Sequence, residues 1–92
     1  MRYELEFVGA KRHGYLSEKK RGNVEFDNVQ QAQEFCADPF GMLDEFGADY
    51  GEFTLWTDEW DIAWMFSFDV ERVNVLPMDY RVWRESIFAV EG

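Results

Sequence analysis

Tyr3, Leu5 and Phe7 alternate with Arg2, Glu4 and Glu6, the two-residue period of a strand with one buried face. Gly9 to Gly22 reads as a polar, mostly basic connection or hairpin, anchored by Tyr15 and Leu16, and Asn23–Phe26 as a short second strand. From Asn28 the period lengthens. Val29, Ala32, Phe35 and Cys36 form one stripe of a helix that Asp27 or Asn28 can cap and that Asp38-Pro39 should end. Phe40, Met42, Leu43 and Phe46 predict one or two more helical turns, closed by Gly47.

Between Tyr50 and Asp69 the alternation returns. Phe53 and Leu55 lie opposite Glu52, Thr54 and Trp56; Thr57-Asp58-Glu59 reads as a turn; Trp60, Ile62, Trp64, Phe66 and Phe68 then follow at period two. The pattern predicts a β-hairpin whose second strand has one aromatic face. Its other face, with Ala63 and Met65, is semi-apolar. Trp60 and Trp64 are assigned to the core, and Trp56 to the solvent side of its strand. Val70, Val73, Val75 and Leu76 are expected to continue the sheet until Pro77 breaks it, and Tyr80, Trp83 and Ile87 mark a terminal helix. The fold expected is α+β: a single small domain, residues 1–92, with an antiparallel sheet of three to five strands and two or three helices covering one face.

Composition supports an ordered chain. Of its 92 residues 47% are hydrophobic and 18% aromatic, which separates it from acidic disordered sequences. Cys36 is the only cysteine, so no intramolecular disulfide forms. No apolar run approaches the ~20 residues of a membrane span. The expectation is a cytoplasmic protein without membrane contact.

Charge changes the picture most. From Gly22 to Glu71 there is no Lys, Arg or His, yet this stretch carries 13 carboxylates and dominates the net charge of −10. Lys11-Arg12-His13 and Lys19-Lys20-Arg21 flank Tyr15. A nucleic-acid-binding hairpin is disfavoured there because the other carboxylates repel a polyanion. Catalytic patterns are weak. Cys36 sits on a core stripe far in sequence from His13, the serines lack a nucleophile-elbow context, and no glycine-rich phosphate loop occurs. Asp58-Glu59-Trp60-Asp61 lacks the ligand spacing of a calcium loop. The expectation is a non-enzyme with no metal and no cofactor.

Carboxylates on an ordered scaffold can imitate phosphates, which in DNA recur about every 3.4 Å of axis on each strand. Glu34, Asp44, Glu45, Asp49, Glu52, Asp58, Glu59, Asp61 and Asp69 are the candidate partner-binding acids, with Trp56 as an aromatic anchor. In charge pattern the chain resembles the small acidic inhibitors made by phages and mobile elements, such as DNA-mimic anti-restriction and anti-CRISPR proteins. The resemblance implies an inhibitor that occludes the nucleic-acid groove of a basic partner and binds no nucleic acid itself. Two other readings fit the same pattern: an antitoxin or immunity protein against a basic nuclease toxin, and an acidic structural subunit that forms a homodimer through the semi-apolar second sheet face.

Overall fold

The computed structural model describes residues 1–75 and 77–91. Their order is β1 (Tyr3–His13), β2 (Leu16–Phe26), α1 (Val29–Cys36), α2 (Pro39–Glu45), β3 (Tyr50–Thr57), β4 (Ile62–Asp69), α3 (Val70–Val75) and α4 (Pro77–Phe88). The fold is α+β: one four-stranded antiparallel sheet, in the order β2-β1-β3-β4, with the helices on one face.

The odd-numbered residues of β1 put Tyr3, Leu5 and Phe7 against Phe53 and Leu55 of β3 and Trp64 and Phe68 of β4. Ala32 and Cys36 of α1, Met42 and Leu43 of α2, and Trp83 and Ile87 of α4 close this layer from above. The stripes that close it recur at the helical period, so each helix buries one side and leaves its polar side in water. Asn28 caps α1 through its side-chain oxygen, which accepts from the Gln31 amide at 3.0 Å. Gly47, with φ of 65°, takes the left-handed position that follows α2.

Space for the Phe7 ring comes from a glycine pair. Gly9 and Gly51 lie directly opposite each other, and a methyl group at Gly9 would run into the Tyr50 carbonyl oxygen and the Phe7 ring. The ring instead stacks on Phe46 at 4.8 Å. Gly9→Ala is therefore expected to destabilise the fold by about 1–3 kcal/mol through overpacking. A urea titration measures this, and an unchanged midpoint would refute it.

Three sequence expectations are corrected. The second strand is Leu16–Phe26, not only Asn23–Phe26: it pairs with β1 from Tyr3↔Phe26 to His13↔Leu16, beyond the end of β3. Its many charges suit an edge strand, where they discourage pairing with other chains. The valine-rich segment after Asp69 is helical, not a strand, because the Asp69 carboxylate accepts from the Glu71 amide at 3.0 Å and starts a helical turn; Leu76 lies outside the described residues. Pro77 opens α4, where its missing N–H costs nothing. Finally, the parity of β4 is not strict. Leu55 pairs with Trp64 but Trp56 pairs with Ile62, so a bulge at Ala63 turns Ile62 onto the uncovered face. Trp60 stands in the turn with φ of 63° and 69% exposure, while Trp64 is in the core.

Candidate functional site

The sheet has one face without helices, and the strand registers lay out its charges. Glu25, Glu4 and Trp56 share a row at one end, followed by a row with Glu6 and Met65. Val8 then lies between Arg21 and Glu52, and Ala10 between Lys19 and Tyr50. Five carboxylates on this face (Glu4, Glu6, Glu25, Glu52, Asp69) meet four cations (Arg2, Arg12, Lys19, Arg21), a net of −1 out of the chain's −10. The surplus therefore lies elsewhere, on the helical layer and the turns.

The helical layer carries acids where helix electrostatics disfavours them. The carbonyl end of a helix bears partial negative charge, so an exposed carboxylate there costs about 0.3–1 kcal/mol. Glu34 is in the last turn of α1, and Asp44 and Glu45 are in the last turn of α2. Neither helix has a basic residue in its last turn or an acid in its first. All three carboxylates are exposed, and none has an ion-pair partner among the described residues. Asp38 begins α2 without making a side-chain capping bond. Beside Asp44, a cleft of about 170 Å³ is lined by Phe40, Leu43, Ala48 and Asp49. Phe40 is partly exposed over the rings of Phe68 and Tyr80. Carboxylates around an apolar cleft suit a long cationic side chain, whose methylenes and charged tip need both.

The predicted acids thus divide among four places. Glu34, Asp44 and Glu45 belong to the helical layer. Glu52 and Trp56 are on the opposite, uncovered sheet face. Asp58, Glu59 and Asp61 project from the β3–β4 turn, where the Thr57 hydroxyl accepts the amides of Glu59 (3.3 Å) and Asp61 (3.1 Å). Asp49 and Asp69 serve the fold through Arg12. The Asp49 carboxylate accepts the Arg12 amide at 2.7 Å, and the Asp69 carboxylate takes both arms of the guanidinium at 3.1 and 2.5 Å. The guanidinium also lies 4.5 Å from the centre of the Tyr50 ring.

Two features of the surface are not evident from the order of residues along the chain. Glu4 and Glu6 fall in an N-terminal segment of net positive charge and Glu25 at the start of the basic-free stretch, and only the β1–β2 register brings them together. Parity alone puts Trp60 on the core face, but its position directly after the Asp58-Glu59 turn is the signal that it stands in the turn.

The Arg12 hydrogen bonds hold the Asp69 carboxyl below its usual range, and the same pair raises the Arg12 guanidinium further. A lowered folded-state pKa gives stability that is complete above the unfolded value, about 3.9, and is lost as pH falls through the folded value. For a half-buried bidentate pair the effect is on the order of 1 kcal/mol. Asp69→Asn should lower the midpoint of urea unfolding at pH 7 and shrink the difference from wild type below pH 3. A difference that persists at pH 2 would show that the Arg12 ion pair is not its source, since asparagine keeps the oxygen that accepts the Glu71 amide.

Reactive groups are set apart from these surfaces. Cys36 is fully buried, and burial pushes its thiol up to about 12, so it has no thiolate at neutral pH. His13 pairs with Glu18 at 2.9 Å near the exposed tip of the β1–β2 hairpin. No group of three or more His, Cys, Asp or Glu among the described residues is placed to hold a metal ion. No helix among them is long and apolar enough to cross a membrane. Comparison with family models, with curated proteins and with solved structures returned no match, so the functional reading rests on this geometry.

Proposed function

We propose that this chain is a non-catalytic acidic binder that occludes the nucleic-acid-binding surface of a basic partner, in the manner of a DNA-mimic inhibitor. The observation that carries the reading is the placement of Glu34, Asp44 and Glu45 at helix ends that disfavour them, with no neutralising cation. Folding gains nothing from these charges there, and a Lys- and Arg-rich partner would. Such a partner approaches faster because the −10 charge steers it, and it finds an apolar contact at Phe40. The acids of the β3–β4 turn, Asp58, Glu59 and Asp61, extend the negative surface. A nuclease toxin belongs to the same partner class, so an antitoxin role shares this mechanism.

The test has two steps. Immobilised protein is exposed to lysate at about 0.05 M salt and eluted toward about 0.5 M, a range over which exposed charge contacts are screened. Each eluted protein is then bound to labelled DNA or RNA and titrated with the free chain. The expected result is salt-dependent capture of a nucleic-acid-binding protein that the chain strips from its nucleic acid. Capture insensitive to salt, or partners that keep their nucleic acid, would overturn the proposal.

A further inference from the structure

We infer that the uncovered sheet face is a homodimer interface, joining two copies about a two-fold axis that runs across the strands. This does not rest on the inhibitor reading. The face is bipolar along the strand direction. At one end a cleft of about 210 Å³ is lined by Glu4, Glu25 and Asp58 against the single guanidinium of Arg2, with Trp60 as a wall. At the other end a groove of about 440 Å³ is lined by Lys19, Lys20, Arg21 and Tyr50. Lys19 and Arg21 have no ion-pair partner among the described residues. Between the two ends Val8 and Met65 are exposed.

A two-fold axis across the strands reverses their direction and lays each end of the face on the opposite end of the second copy. With the axis between the Glu6 row and the Val8 row, Glu25 comes over Lys19, Glu6 comes over Val8 with Arg21 on one side and Glu52 on the other, and Trp56 comes over Tyr50. Every acid-to-base contact occurs twice, which is the self-complementarity an isologous interface requires. Glu4 and Glu25 are direct cross-strand neighbours; Arg2 pairs with Glu25 at 3.0 Å, and Lys19 of a second copy would supply the cation that Glu4 does not have among the described residues. The near-neutral sum of the strands on this face also matters, since most of the remaining −9, Asp58 at the rim excepted, stays on surfaces directed away from the axis. An exclusively acidic partner would meet Glu4, Glu6 and Glu52; an exclusively basic one would meet Lys19 and Arg21. A second copy meets both signs at once: Arg2 comes over Arg12, whose charge Asp69 already offsets, and Glu6 lies beside Glu52, while Glu25 gains Lys19 and Glu6 gains Arg21.

The footprint bounds the affinity. Four strands about 4.8 Å apart, over eight residues rising about 3.3 Å each, give a flat area of roughly 500 Å² per copy. That is the lower end for specific interfaces, so the expected dissociation constant is on the order of micromolar.

Charge-swapped variants test the inference by sedimentation velocity at about 0.15 M salt, from about 5 to 500 μM, with circular dichroism confirming each fold. Wild type should approach twice the 11.0 kDa of one chain as concentration rises. Glu6→Lys with Glu25→Lys makes both ends basic, and Lys19→Glu with Arg21→Glu makes both ends acidic; each double variant alone should remain at 11.0 kDa. An equimolar mixture of the two should restore the dimer, because every contact again joins opposite charges. Wild type that stays monomeric overturns the inference. So do double variants that dimerise alone, which would locate the interface at a sheet edge, or a mixture that fails to associate. The Lys19/Arg21 variant keeps every carboxylate, so its capture of a basic partner reports on the inhibitor reading separately.

Discussion

Trp83→Ala is expected to leave the chain largely unfolded at 37 °C. Trp83 is fully buried, and four rings surround it: Trp64 at 4.8 Å, Phe53 and Phe66 at 5.0 Å, and Phe68 at 5.2 Å, all near edge-to-face. Its indole N–H donates to the Cys36 carbonyl, so one side chain joins α4 to the sheet and to the end of α1. Removing a buried Trp costs about 3–5 kcal/mol in transfer and cavity terms. Orphaning the Cys36 carbonyl adds about 1–3 kcal/mol. A domain of this size has roughly 5–15 kcal/mol in total, so the loss consumes most of it. Trp83→Phe separates the two terms: it keeps most of the packing and loses the donor, so it should fold with a lower urea midpoint. Near-ultraviolet circular dichroism and urea titration measure both variants. An alanine variant with a native spectrum and a thermal midpoint within about 5 °C of wild type would show that the aromatic cluster does not hold the layers together.

The same cluster shows how far the sequence could be read. Tyr3, Leu5 and Phe7, the α1 stripe ending at Cys36, and the run from Trp64 to Phe68 announce their faces through period alone, and the structure follows them. Period fails where a single hydrogen bond or one extra residue resets it. The Asp69 carboxylate turns a valine-rich segment into a helix, and the bulge at Ala63 moves Ile62 from the core face to the open one. Neither event leaves a mark in composition. Surface assembly was less legible still. The basic-free stretch from Gly22 to Glu71 reads as one acidic region, but the chain crosses the sheet within it. Glu34 and Glu52 consequently face opposite sides, while Arg12, from outside the stretch, neutralises Asp69 within it. Charge along a sequence becomes a surface only through the register of its strands.

Replacing Glu34, Asp44 and Glu45 together by Lys is expected to abolish partner binding while raising stability. The two effects have the same origin. Each carboxylate faces the negative end of a helix, so its removal relieves repulsion and a lysine in its place gains attraction, at about 0.3–1 kcal/mol per position in either case. The net charge moves from −10 to −4, which further reduces the self-repulsion of the folded state. Together these should raise the thermal midpoint by about 5 °C or more, given that 1 kcal/mol shifts a domain of this length by roughly 4–8 °C. The same changes put three cations where a basic groove would have to dock. A like-charge juxtaposition costs several kcal/mol, enough to weaken binding more than a hundredfold. Differential scanning calorimetry and competition against the captured partner's nucleic acid read the two quantities on one preparation. A control with Asp58, Glu59 and Asp61 changed to Lys distinguishes the turn from the helical layer, because these acids lie at no helix end and their reversal should lack the dipole contribution. A helical-layer variant that is both more stable and fully inhibitory would mean that these charges do not contact the partner. One that is less stable and inactive would remove the argument that they are retained against the interest of folding. Stabilisation joined to loss of binding is the result that only a functional role for the three acids predicts, since activity kept at the cost of stability is the usual mark of a binding surface.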